Sequence, residues 1–127
     1  MAGTIIADTL THSTAGSVTT NYVVNGSAKA WANMNGSGTP AFRDTLNHSS
    51  ITDHDTGQFT VAFSSSMNND DYSCPSTGSR SDTVGAVAMS ITPRLLTTSN
   101  YRFTCEYANS TTWDYENIFL STLGDLA

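Results

Sequence analysis

Positive charge is scarce in this chain: five Lys and Arg stand against eleven Asp and Glu, for a formal net charge of −6. Such a chain repels nucleic-acid phosphates instead of displacing their counterions, so no DNA or RNA partner is expected. Long apolar runs are missing as well. None approaches the roughly 18 residues that a spanning helix needs, and membrane insertion is not expected. The opening Met1-Ala2-Gly3-Thr4-Ile5-Ile6 has neither the basic start nor the apolar stretch of a secretory signal, so export by that route is not expected. Cys74 and Cys105 are the only cysteines. They can bridge if their strands lie side by side, but a single pair without an export signal is weak ground for a disulfide.

What is abundant is uncharged polarity. Ser, Thr and Asn together exceed a third of the sequence, a composition that suits exposed strand faces and turns better than helix interiors. Charged residues make up 13%, against roughly 25% in ordinary soluble domains. Enough Val, Ile, Phe, Tyr and Trp remain to build a core, and 127 residues fit one domain.

Alternation of apolar and polar residues marks strands with one buried face. Gln58 to Phe63 places Phe59, Val61 and Phe63 on one face; Tyr101 to Tyr107 places Tyr101, Phe103, Cys105 and Tyr107 together. Thr83 to Ile91 is mostly apolar and reads as a central strand. Shorter strands are expected over Val18 to Val24, Ser27 to Met34, Ala41 to Leu46 and Ser50 to Asp53. Asn25-Gly26, Asn35-Gly36 and Asp55-Thr56-Gly57 favour the turns between them. Ser64 to Asp82 is too polar for more than a short strand around Tyr72 and reads as a surface loop. Trp113 to Leu123 reads as a last strand, although Phe119 interrupts its alternation. The expected fold class is all-β, an antiparallel β-sandwich of jelly-roll or Greek-key type with an extended N-terminal arm. The arm covers residues 1–20 and the sandwich residues 21–127. Ile5, Ile6 and Leu10 would be poorly buried in a monomer, which makes them candidate subunit contacts.

Residues able to carry chemistry occur without a frame. His12, His48 and His54 fall in segments read as arm or turn, with no Gly-x-Ser-x-Gly elbow or His-Glu-x-x-His pattern, and read as solvated loop histidines. Asp53 with Asp55, and Asp70 with Asp71, can in principle hold calcium, but they lack the spacing of a calcium loop and read as turn-forming acids. Asp44, Glu106 and Asp114 are further carboxylates that nothing pairs into a glycosidase site. No cofactor is expected, and no enzyme. Glycosylation sequons at Asn25, Asn35, Asn47 and Asn109 read as chance in so Asn/Ser/Thr-rich a chain. Trp31 alternates with Ala28, Ala30 and Ala32; it either fills the core from the opposite face, the favoured reading, or anchors a subunit contact. Trp113 and Tyr115, beside Asn109 and Thr111, read as a packed end strand before a sugar-stacking surface.

The run Gly26-Ser27-Ala28-Lys29-Ala30-Trp31-Ala32-Asn33, continued by Asn35-Gly36-Ser37-Gly38-Thr39, Arg43-Asp44, Ser49-Ser50-Ile51-Thr52-Asp53 and Thr56-Gly57-Gln58-Phe59-Thr60-Val61-Ala62-Phe63, resembles a module of phage tail-fibre and related virion proteins. The likeness extends over roughly residues 20 to 75. It departs from the family pattern at Ala32 and Met34, where Val and Phe are usual, and at Pro40-Ala41-Phe42. The resemblance implies a β-rich, usually trimeric domain on the virion surface, used in attachment and not in catalysis. Its implied partners are copies of itself, other phage virion proteins and a host surface glycan. A capsid decoration protein is the alternative expectation, from small size, acidity and an arm able to add a strand to a neighbour.

Overall fold

The computed structural model describes residues 3–80, 89–107 and 110–127. Its elements run β1 (Thr9–His12), β2 (Gly16–Thr19), α1 (Thr20–Gly26), β3 (Ala28–Asn35), β4 (Ala41–Leu46), β5 (His48–Asp55), β6 (Gln58–Phe63), β7 (Ser76–Ser79), β8 (Met89–Arg94), β9 (Asn100–Tyr107), β10 (Thr111–Thr112) and β11 (Asn117–Leu123). The expected all-β sandwich is what forms. One layer orders β4-β3-β11-β7; the other orders β5-β6-β9-β10, with β8 also paired to β9. Arg102, Phe103 and Thr104 of β9 pair with both β6 and β8, so those two strands occupy opposite edges of β9.

The core is asymmetric. The β6–β9 layer sends in Phe59, Val61, Phe63, Tyr101, Phe103 and Cys105, while the facing layer contributes mainly Ala30, Ala32, Met34, Ile118 and Leu120. Large aromatic rings on one sheet leave room only for small or slender side chains opposite, because the interior packs near crystal density. Each fully buried large apolar side chain contributes roughly 1.5–3 kcal/mol against exposure.

One turn joins the two layers and another closes a hairpin within one of them. Asn47 adopts φ 58 as the single residue between β4 and β5, turning the chain from one sheet into the other. Its amide fixes the passing strand end: Oδ1 accepts from Ser65 N at 2.7 Å and Nδ2 donates to Ser65 O at 3.1 Å. Gly57, at φ 68, closes the β5–β6 hairpin as expected, and a Cβ there would lie 2.7 Å from both Cys105 O and Trp113 N. Only glycine suits that combination of backbone region and contact. On β4, Arg43 sits at a bulge and donates to Asn33 Oδ1, Met34 O and Asn117 Oδ1, tying β4 to β3 and, across it, to β11.

Several expectations need correction. Val18 to Val24 is not a strand: β2 ends at Thr19 and Thr20–Gly26 is helical, so Asn25-Gly26 ends a helix instead of turning a hairpin. Ser64 to Asp82 is not simply a surface loop. Met67 and Tyr72 are core residues, and the Tyr72 hydroxyl donates to Thr97 O and Asn100 O. Ser76–Ser79 pairs with β11. Its strand is held by backbone bonds and by the absence of bulk: a Cβ at Gly78 would meet Asn117 O at 2.4 Å. Of the expected strand Thr83 to Ile91, residues 83–88 lie outside the described residues. From Met89 the strand pairs, among the described residues, with β9 alone, and Pro93 within it suits an edge position. The last strand is shorter than read, Asn117–Leu123 instead of Trp113 to Leu123, with Ile118 and Leu120 inward and Phe119 outward.

Candidate assembly surface

Residues 3–27 stand apart from the sandwich. β1 and β2 form a two-stranded antiparallel ladder in which Leu10 faces Val18, and the Thr11 and Ser17 hydroxyls bond at 2.9 Å. Helix α1 has seven residues, no capping side-chain bond and no buried residue. It includes two β-branched valines, poor helix formers. An isolated hairpin and a two-turn helix are each marginal in water. Lys29 anchors the junction, donating from Nζ to Ser27 O at 3.0 Å, to Ser27 Oγ and to Val24 O. The expected extended arm is therefore a hairpin followed by a helix, and the sheets begin at Ala28.

None of the described residues before Lys29 that bear large apolar side chains is buried. Ile5 is 92% and Ile6 93% exposed, and Leu10, Val18, Tyr22, Val23 and Val24 are exposed too. In residues 3–28 Asp8 is the sole Asp, Glu, Lys or Arg, so covering this segment would desolvate little charge.

Trp31 is not in the core. Ala30, Ala32 and Met34 point inward, and Trp31 lies on the outer face of the β4-β3-β11-β7 sheet, 37% exposed. The register sets Leu46 and Ser121 on either side of it, while Phe119 pairs with Asn33, one diagonal step away. Leu46 and Phe119 are themselves 48% and 44% exposed. An open groove of about 290 Å³ borders this strip, lined by Pro75, Thr77, Phe119 and Ser121 among others. The structure thus brings Trp31 together with Leu46 and Phe119, two partners that the sequence reading did not single out. Outward alternation of Phe119 against inward Ile118 and Leu120 was the available signal.

The chemical candidates are dispersed. His48 is buried in β5, contrary to the reading of a solvated turn: its ring stacks between Phe42 and Phe63 at centroid distances of 5.7 and 5.5 Å. Nδ1 lies 3.2 Å from Trp31 O; since a carbonyl only accepts, that bond puts the proton on Nδ1 and leaves Nε2 bare and unpartnered among the described residues. Burial lowers the His48 pKa from 6.5, partly opposed by the Trp31 carbonyl. His54 lies on β5, not in a turn, and contacts Thr60 Oγ1 at 2.9 Å. His12 stays exposed and accepts at Nδ1 from Thr14 N and Ala15 N.

Among the described residues, no three His, Cys, Asp or Glu side chains converge as metal ligands. Asp114 accepts from Gly57 N at 2.6 Å and so braces the hairpin. Cys74 and Cys105 are free thiols, pushed up by burial to about 11 and about 12. The Asn35 amide is engaged in its own turn and the Asn47 amide with the backbone of Ser65. Tyr115 is fully buried and Arg80 stacks on the Trp113 ring at 3.5 Å, so the two do not form a shared stacking surface. No helix among the described residues is long and apolar enough to cross a membrane. Compared with protein-family models, curated proteins and solved structures, the chain matches none.

Proposed function

We propose that this chain is a non-enzymatic structural subunit of a bacteriophage particle surface, a tail-fibre or adhesin subunit in host attachment that associates with copies of itself, in threes, through its N-terminal arm. The observation that carries the reading is the uncovered apolar arm, Ile5 and Ile6 above all, in a chain whose sandwich also presents Trp31, Leu46 and Phe119 outward. Apolar surface of this kind is characteristic of assembly. The occupant of the Trp31 face is the arm of a second copy: the Trp31, Leu46 and Phe119 strip is apolar, the arm is apolar with Asp8 as its one charged residue, and a marginal hairpin and helix gain order by docking. The virion setting is supported by the module resemblance of residues 26–63.

A second reading, a capsid decoration protein, is favoured by one feature. The β1–β2 ladder leaves both outer backbone edges unpaired among the described residues, and such an edge can extend a sheet of a shell subunit. Gold-labelled antibody on intact particles separates the two. Label at the tail supports the adhesin, label over the head supports the decoration protein, and particles free of label would overturn both.

A further inference from the structure

The outer face of the other sheet carries an arrangement that the fold does not need. Arg94 on β8 and Arg102 on β9 are direct register partners, so their side chains leave the sheet on the same face and side by side. Like charges directly opposed across a ladder are destabilising. The chain has only five basic residues, and two of them occupy this pair.

Compensation is one-sided. Glu106 Oε1 accepts from Arg94 Nη2 at 3.2 Å. Arg102 has no side-chain hydrogen bond or ion pair among the described residues, and its Nε is buried without a partner. Thr60 of β6 is the register partner of Arg102 on its other side, and Thr92 lies one diagonal step away on β8. Neither hydroxyl bonds a guanidinium: Thr60 Oγ1 contacts His54 Nε2 at 2.9 Å and Thr92 Oγ1 contacts Ser90 Oγ at 3.2 Å. Arg94, half exposed, keeps the pair open to solvent.

We infer that this face binds an oxyanion, a carboxylate or sulfate group carried on an acidic glycan. Guanidinium groups present forked donors matched to such oxyanions, and charge-assisted bonds of this type are about twice as strong as neutral ones. An oxyanion between Arg94 and Arg102 would relieve their mutual repulsion and give Arg102 the counter-ion it lacks. Glu106 then acts as a competitor, holding Arg94 while the site is empty. The glycan as carrier deepens the attachment reading and rests on it; the oxyanion site itself does not depend on where the protein lies on a particle.

The test uses the purified full chain over immobilised polygalacturonate, dextran sulfate and uncharged dextran at moderate salt. The wild type should bind at least one charged polymer despite its net charge of −6, and ignore uncharged dextran. Whichever charged polymer binds more tightly identifies the group as carboxylate or sulfate. Arg102→Gln should weaken binding about tenfold or more, Arg94→Gln should do likewise, and Glu106→Gln should strengthen it by releasing Arg94. Arg43→Gln, which removes equal charge from the opposite sheet, should leave binding unchanged. Should Arg102→Gln fail to fold, Arg94→Gln carries the same test from an exposed position. Absence of binding by folded wild type, equal binding to uncharged dextran, or equal loss in Arg43→Gln would overturn the site. None of these outcomes bears on where gold label falls on particles, so the attachment reading stands or falls separately.

Discussion

The sandwich and the N-terminal arm contain the same kinds of apolar residue and treat them oppositely. From β3 onward, Phe59, Val61, Phe103 and Ile118 lose all exposure, whereas Ile5 and Ile6 keep over nine-tenths of theirs. Composition is not the cause, since Leu10 and Val18 face each other across a ladder just as Phe59 and Phe103 do. The difference is the second layer. A sheet face is stabilised when another sheet covers it, and β6 and β9 meet Met34 and Ile118 where β1 and β2 meet solvent. The sandwich is held by contacts within itself, and the arm's apolar residues stay exposed.

The largest effect that sharpens this contrast is loss of a core ring. Phe59→Ala should destabilise the sandwich by about 3–5 kcal/mol in urea unfolding, while deletion of residues 2–17, compared at a protein concentration low enough that the full chain is monomeric too, should shift the same transition by less than about 0.5 kcal/mol. A comparable loss in the deletion would break the contrast, because it would place the arm inside the sandwich's cooperative unit. Glycines provide a smaller version. Gly57→Ala combines a positive φ with a Cβ pressed on backbone and should cost about 1–3 kcal/mol. Gly16→Ala has positive φ but open space, lies in the arm, and should leave the sandwich transition in place.

The pH dependence of the sandwich offers a third and milder test. The pKa of His48 is lowered in the folded state from 6.5, so as pH falls the unfolded chain takes up its proton first. His48 therefore contributes stability that is complete above about pH 6.5 and declines as pH falls from there towards its folded value. Melting curves across that window should show the wild type losing stability and His48→Phe, which retains a ring between Phe42 and Phe63, losing less. Identical slopes would show that His48 is not the group responsible.

Strands whose alternation met a matching layer were legible in the sequence: Gln58–Phe63 forms with the residues expected, and Tyr101 to Tyr107 lies within Asn100–Tyr107. Ser76–Ser79 was not, because its pairing rests on backbone bonds and on Gly78 fitting under β11, neither of which has an apolar signature. The valines of Thr20–Gly26 looked like a strand, and the local chain is helical. Trp31 shows why period alone does not select a face. Alternation separates it from Ala30 and Ala32, but aromatic bulk from the facing sheet decides that the alanines go inward. His48 became a core residue through the one-residue turn at Asn47, a geometry with no advance sign in the sequence. Of the proposed assembly surface, the exposure of Ile5, Ile6 and Leu10 was legible, whereas core was the favoured reading of Trp31. Leu46 and Phe119 required the register.

The most direct test of the account is the solution mass of the full chain and of the chain lacking residues 2–17, measured by light scattering alongside Trp31→Ser. The full chain should run as a trimer. Both the deletion and Trp31→Ser should run as folded monomers, since one removes the arm and the other the face that receives it. A monomeric full chain, or a deletion that still assembles, would contradict the assignment of the arm and the Trp31 face to self-association.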